Sequence, residues 1–374
     1  MSNPCHQAVT RLGFIARLIA TCLLLLSVVL ATPLQAETIT IGKGSGIVWE
    51  GKPFDVTLSG PMGSDSMRVE FGLASISTIR DRCMKESDLV NIAGYLTYQL
   101  APGVGLIPRA TVSASYQRYV SQAKETLSGT IGLPETKASA NGWSISNPVD
   151  ARQWCLPPRM SSEQFFYLPE GERISRGVGS WAIVADGTQT ASEIAISPLY
   201  YASFSSRASG DRVAQIFSSD ITLRVSTLEC SVQTTANIDF GAVSYSKTVG
   251  AELGKQSYPL VVSCGQASDY ISANINLQLR ALSGLYNGQK TRLALTQGGG
   301  YITGEIENGT TGSGACNLTT GLPFDNSPIK IGSISNKESS KSISDRLTWR
   351  LCSGGSSLPV GKVTASAEMM VTFN

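Results

Sequence analysis

The chain has 374 residues, and only one of them, His6, is a histidine. It precedes Arg11, Arg17 and an apolar run over residues 18–30, which leads into Ala31-Thr-Pro-Leu-Gln-Ala36. That layout predicts a cleavable secretory signal over 1–36, with the exported chain starting at Glu37. The apolar run is shorter than the roughly 20 residues that a membrane-spanning helix needs. Cleavage removes the only histidine, so Ser/His and Cys/His nucleophilic arrangements are excluded from the exported chain. It also removes two arginines and no acids, which leaves 28 basic against 28 acidic side chains. A chain without excess positive charge lacks the footprint of a nucleic-acid binder.

Six cysteines remain after the signal: Cys83, Cys155, Cys230, Cys264, Cys316 and Cys352. None forms a Cys-x-x-Cys pair and no histidine is left to assist, so no metal site and no cofactor is expected. An even count in an exported chain reads as disulfides. Helical periodicity is also scarce; the one stretch with a helical reading is 80–93. Strand character dominates, with alternating or β-rich runs at 38–41, 54–58, 180–184, 193–196, 275–279 and 347–351. Asn287-Gly288 and Asn308-Gly309 read as hairpin turns. Short strands punctuated by turns predict an all-β chain of two β-sandwich domains.

The expected boundary lies near residue 228, where 221–225 leads through Ser226-Thr227 into a segment with its own cysteine pattern. No Pro- or Gly-rich linker intervenes, so closely coupled domains over 37–227 and 228–374 are predicted. The first would then contain only Cys83 and Cys155, which must pair. The second contains four cysteines with three possible connectivities, among which the sequential pairs Cys230–Cys264 and Cys316–Cys352 are expected.

The end of the chain is the most informative segment. Val363, Ala365, Ala367, Met369, Val371 and Phe373 share one face of a period-two strand, and Lys362, Thr364, Ser366, Glu368 and Thr372 share the other. Met370 alone breaks the alternation. An amphipathic strand of this kind must pair or present a sticky edge.

From Leu228 the chain reads Leu-Glu-Cys230-Ser-Val, then Ile238-Asp-Phe-Gly-Ala-Val243, then Tyr258-Pro-Leu-Val-Val-Ser-Cys264. This resembles the pilin domain of chaperone/usher pili, where a first cysteine, an apolar-Gly motif and a second cysteine recur in that order. Pilins of this kind carry a glycine fourteenth from the C-terminus and an aromatic residue second to last; here these are Gly361 and Phe373. The resemblance covers 228–374. It departs from the family in the extra pair Cys316 and Cys352, and in having Phe where tyrosine is common.

The resemblance implies an incomplete immunoglobulin-like sandwich, completed by a strand from a periplasmic chaperone and later by one from an adjacent pilus subunit at the outer-membrane usher. It also implies that Gly361, Ala367, Met369, Val371, Phe373 and Asn374 carry assembly contacts. An ordinary pilin has a donor extension before its first cysteine, whereas here a whole domain precedes Cys230. The segment 38–41 alternates, but it reads as that domain's first strand. A subunit that accepts a strand and donates none belongs at the pilus tip, so the family pattern implies a two-domain tip adhesin at the cell surface.

Residues 37–227 carry no assignable motif. Tip adhesins of this type place a receptor-binding domain there, often a lectin, which implies a host glycan or surface protein as receptor. Sugar sites need an aromatic face and convergent hydrogen-bonding groups, which makes Asn141, Trp143, Arg152, Trp154 and Trp181 the candidates. Trp181 in its apolar run and Trp154 beside Cys155 also read as core, and Trp143 is the ring expected at the surface. Tyr200 and Tyr201 should face opposite ways on a strand. Arg173 and Arg176, near Glu170 and Glu172, read as a solvated loop or as a clamp for an acidic sugar. The rival functions are a tip subunit without a receptor and an exported enzyme.

Overall fold

In the long runs of the first half, every second side chain is apolar and goes inward. Ala110, Val112 and Ala114 are buried while Thr111 and Ser113 face out, within the strand Val104–Gln117. This strand lies in an eight-stranded antiparallel sheet, beside Lys124–Gly132 on one flank and Glu172–Asp186 on the other. Glu172–Asp186 pairs in turn with Ser45–Pro61. A four-stranded sheet, ordered Cys155–Leu156, Ala74–Ser77, Leu199–Ala202 and Val213–Phe217, supplies the facing layer. The two layers meet where the Trp181 ring packs edge-on against Phe217, 5.3 Å between centroids, and where the Ser175 and Tyr201 hydroxyls lie 2.7 Å apart.

The computed structural model describes residues 37–61, 72–80, 82–148, 151–157, 168, 171–203 and 213–374. The expected signal over 1–36 and Glu170 lie outside them. Among the described residues, every regular element is a strand except two single 3-10 turns, Glu86–Asp88 and Tyr286–Gly288. The helical reading of 80–93 is therefore corrected. That stretch gives the strands Met84–Lys85 and Val90–Ile92 around one 3-10 turn, because Cys83 is tied to Cys155 and Met84 pairs with Gln153.

Thr38–Asn374 forms one compact unit. Within it the buried apolar side chains gather mainly into two clusters, one drawing on Ile39 to Val225 and the other on Leu228 to Phe373. The second cluster lies between a five-stranded sheet and part of a six-stranded one. The five-stranded sheet runs Leu228–Gln233, Glu252–Gln266, Ser340–Ser353, Gly300–Ile306, Leu293–Ala294. The six-stranded sheet is shared: Ser192–Ala195, Ile221–Val225 and Glu37–Ile41 continue through Ala367–Phe373 into Ala273–Ala281 and Ile329–Ile334. The opening strand Glu37–Ile41 buries Ile39 and Ile41 in the first cluster and meets the closing strand only where Thr40 lies opposite Phe373.

The junction is tight. Ser226 N–H donates to the Ile41 carbonyl and Lys43 N–H to the Leu228 carbonyl, at 2.9 and 3.0 Å. A Cβ added to Gly42 would fall 1.8 Å from the Leu228 carbonyl oxygen, so only glycine fits there. A buried carboxylate ties the same region together. Glu50, 2% exposed, accepts from Arg109 Nε at 2.9 Å and Ser180 Oγ at 3.0 Å, and faces Arg280 Nε at 3.6 Å.

The disulfides are Cys83–Cys155, Cys230–Cys264 and Cys316–Cys352. The first closes the longest loop, with a sequence separation of 72. In the chain-entropy account, Cys83→Ala with Cys155→Ala costs about 4 kcal/mol. Denaturant unfolding of the double variant measures it, and an unchanged midpoint would contradict it. Glu50→Ala strips the carboxylate from two arginines and should cost about 3 kcal/mol, read in the same assay.

Candidate functional site

The closing strand Ala367–Phe373 is paired along its whole length on one side and at Phe373 alone on the other. Its register with Ala273–Ala281 runs from Ile275 opposite Phe373 to Ala281 opposite Ala367. On the other side only Phe373 has a cross-strand partner, Thr40, so among the described residues 367–372 present an open edge of roughly 20 Å. Their apolar face is incompletely covered. Ala367, Met369 and Val371 are half-buried, whereas Ile275, Leu277 and Leu279 on the partner strand are 0%, 0% and 2% exposed. Ile238, Phe240 and Ala365 half-bury against the same apolar cluster. The segment 234–251, which contains the apolar-Gly motif, forms no strand. The whole describes an apolar sandwich with an open seam.

The opposite face of this strand departs from the expected polar surface. Thr372 is 3% exposed, and its neighbours Asn276 and Gln278 on the partner strand are 5% and 3% exposed. Gln278 Nε2 donates to the Glu50 carbonyl at 3.2 Å, which brings the strand Ser45–Pro61 over this face. Met370 lies opposite Gln278, so the one apolar break in the alternation falls where the polar face is covered. Glu368 pairs with Arg280, which also faces Glu50.

Further positions of the closing segment have defined roles. Gly361 has φ +111, a conformation that disfavours side chains. Asn374 accepts from Asn274 N–H at 2.7 Å, and its side chain accepts from Asn276 Nδ2 at 2.9 Å. Burial alternates over 363–367, but strand pairing begins only at Ala367; before it the Ser366 carbonyl accepts from Leu282 and Ser283 N–H at 2.9 and 3.2 Å and the Thr364 carbonyl from Thr296 N–H at 2.8 Å.

The ligand candidates of the first half divide. Asn141 and Gly142, both at positive φ, make a two-residue turn between Lys137–Ala140 and Trp143–Ser146. Asn141 is exposed, while Trp143 is half-buried against the core instead of standing free. Arg152 is half-buried in a short ladder opposite Lys85. Asn147 ties that ladder's neighbour to the hairpin, its side chain both donating to and accepting from the Cys155 backbone at 2.7 and 3.2 Å. Trp154 is 2% exposed and Trp181 0%. Both rings belong to the core and present no face to a sugar.

Tyr201 is buried and Tyr200 half-exposed, as their adjacency requires. Burial pushes the Tyr201 phenol well above its ordinary range, with the Ser175 bond opposing. Arg173 and Arg176 lie on the strand Glu172–Asp186 and not in a solvated loop. Arg173 is buried and donates to the Ser203 and Ser59 carbonyls, while Arg176 grips Asp55 through two hydrogen bonds that hold its carboxyl below the usual range. Sequence reasoning missed a cavity of about 350 Å3 beside Lys52 and Phe217, which none of the five candidates lines.

No family model and no curated protein matches the chain. Among solved structures it is similar to a chain of the chaperone–tip adhesin complex of CFA/I fimbriae biogenesis, at 11% identity and TM-score 0.27, covering 90% of this chain and 94% of that one. It is similar also to the CupB6 tip adhesin of Pseudomonas aeruginosa, at 12% identity, TM-score 0.26 and 88% of each chain. A third similarity is to a mutant of the CfaE adhesin of enterotoxigenic E. coli, at 10% identity, TM-score 0.25 and 90% of each chain.

Two outcomes test the seam. Hydrogen exchange should leave the outward-directed amides of 367–372 fast while those bonded to 273–281 are slow; uniform protection would mean that the edge is already covered. Phe373→Ala, which removes a 7%-exposed ring packed near Gly42, should cost roughly 3 kcal/mol in thermal or denaturant unfolding.

Proposed function

We propose that this chain is a fimbrial tip adhesin whose closing strand accepts a strand from a periplasmic chaperone and then from the adjacent pilus subunit delivered at the usher. The observation that carries this is the one-sided pairing of Ala367–Phe373 over a half-covered apolar face. A strand added there gains main-chain hydrogen bonds along the open edge, and its alternate side chains can fill the seam beside Met369 and Val371. Phe373 anchors the strand that the partner reads, and Gly361 permits the turn into it.

In this reading 37–227 is the receptor-binding domain and 228–374 the pilin domain. The opening strand Glu37–Ile41 supports it: with Ile39 and Ile41 in the first core, it belongs to the fold and is not held out for donation. The protein is exported through the periplasm and displayed at the pilus tip, and it acts by attachment and not by catalysis. Its receptor is a host glycan or surface protein. Of the ligand candidates, Asn141, Trp143 and Arg152 retain surface. Individual sites of this kind are weak, and many pili per cell supply avidity.

Coexpression with the periplasmic chaperone of its assembly system should yield a stable complex that Phe373→Ala, or loss of 367–374, abolishes. A truncated chain that still copurified and reached the tip would sink the assembly reading. The intact complex, applied to glycan arrays and host cells, should bind; silence on both would favour a tip subunit that starts assembly without a receptor.

A further inference from the structure

The six cysteines beyond residue 36 are all joined in disulfides, so no thiol there competes for an oxidant. Thioether sulfur is what remains for two-electron oxidation. Among the described residues the methionines are Met84, Met369 and Met370; Met62, Met67 and Met160 lie outside them. Met84 is 0% exposed within the first core. The other two are half-buried neighbours on the closing strand.

Adjacent strand residues face opposite ways, so these two sulfurs have different surroundings. Met370 lies opposite Gln278, on the face covered by the strand Ser45–Pro61. A strand added at the open edge changes little there. Met369 lies opposite Leu279 and packs against the second core on the seam side, with Ala367 and Val371. Beyond it the edge has no cross-strand neighbour until Phe373 meets Thr40. Of the three described thioethers, Met369 is therefore the one that an added strand would cover. The other side chains on the seam face of this strand, Ala367, Val371 and Phe373, are inert to peroxide.

Oxidation by a hydroperoxide balances without any further reagent. The Met369 Sδ lone pair attacks one peroxide oxygen, the S–O bond forms as the O–O bond breaks, and the departing hydroxide takes the proton of the transferred oxygen and leaves as water. Sulfur loses two electrons and the peroxide gains them. The product is a polar sulfoxide in place of an apolar thioether, and methionine sulfoxide reductases reverse the change. In the open seam the new oxygen is hydrated. Beneath an added strand it would lie among Ala367, Val371 and Leu279, none of which has a side-chain donor, and a buried acceptor without a partner opposes the association.

We propose that Met369 is an oxidation site for hydroperoxides that controls strand addition: the thioether admits the incoming strand, the sulfoxide refuses it, and the added strand in turn shields the sulfur. The control rests on the strand-acceptance reading, whereas the reactivity of Met369 does not.

Hydrogen peroxide is applied to the purified chain and to its coexpressed complex with the chaperone, and fragmentation of the tryptic peptide 363–374 separates Met369 from Met370. In the chain alone, Met369 should oxidise at least about tenfold faster than Met84, which reports that the fold is intact. In the complex Met369 should be protected and Met370 unchanged. The oxidised chain should bind chaperone at least about tenfold more weakly, and sulfoxide reductase should restore binding. Met369→Leu should bind normally before and after peroxide. Met369→Gln, a polar stand-in for the sulfoxide, should lose the coexpressed complex, while Met370→Gln should keep it. Met369 no more reactive than Met84 in a chain of native melting temperature would overturn the site. So would an oxidised Met369→Leu chain that loses chaperone as the native chain does, or equal complex yields from Met369→Gln and Met369→Leu. A reduced native chain that forms no chaperone complex at all would overturn the strand-acceptance reading and leave the reactivity of Met369 standing.

Discussion

An extended backbone is stable only where its N–H and C=O groups find partners, and the architecture of this chain follows from how it meets that demand. Long strands meet it by stacking into ladders, of which the run of Ser45–Pro61 against Glu172–Asp186 is the most extensive. The sheet closed by Ala367–Phe373 meets it on one side only. Most buried backbone in folded proteins is paired, and an exposed apolar edge is a recognised hazard. A sequence that keeps such an edge, and backs it with half-covered Met369 and Val371, fits the proposed addition of a strand from a second chain.

The surroundings of that edge explain why it stays open without loosening the rest. Its outward face is covered by the strand Ser45–Pro61, through Gln278 and the Glu50 carbonyl. Its far end is pinned by Phe373 beside Thr40 and Gly42. Disulfide Cys230–Cys264 joins two adjacent strands of the facing five-stranded sheet. The incompleteness is thus confined to one seam.

Much of this was legible in the sequence because strand patterning has a short period and few alternatives. The β-runs and the facing of Tyr200 and Tyr201 follow from local spacing, whereas Cys83–Cys155 follows from the placing of the domain boundary and the two sequential pairs were one of three connectivities. The 80–93 stretch was misread because its apolar residues fit a helix as well as they fit two short strands, and Cys83–Cys155 decided between them at long range. Met370 breaks the alternation without a local reason, because the strand over it, Ser45–Pro61, is more than 300 residues away in sequence. The candidate site was legible by residue type and only partly by depth: Trp181 in its apolar run and Trp154 beside Cys155 already read as core, and they are, whereas nothing local shows that Trp143 packs against the core from its hairpin. The Lys52 cavity was invisible for a different reason. Its members come from two stretches about 160 residues apart in sequence, each carrying an irregularity of register that no periodicity reveals.

The antiparallel register of Ala367–Phe373 on Ala273–Ala281 also has a mechanical meaning. A pull directed along the closing strand loads this ladder in shear, so its cross-strand hydrogen bonds resist together instead of parting one at a time. The load then passes into the rest of the fold through Arg280 and Gln278 to Glu50, the buried carboxylate held by Arg109 and Ser180. The same few side chains that fasten the two cores at rest therefore form the path along which tension would travel from one to the other.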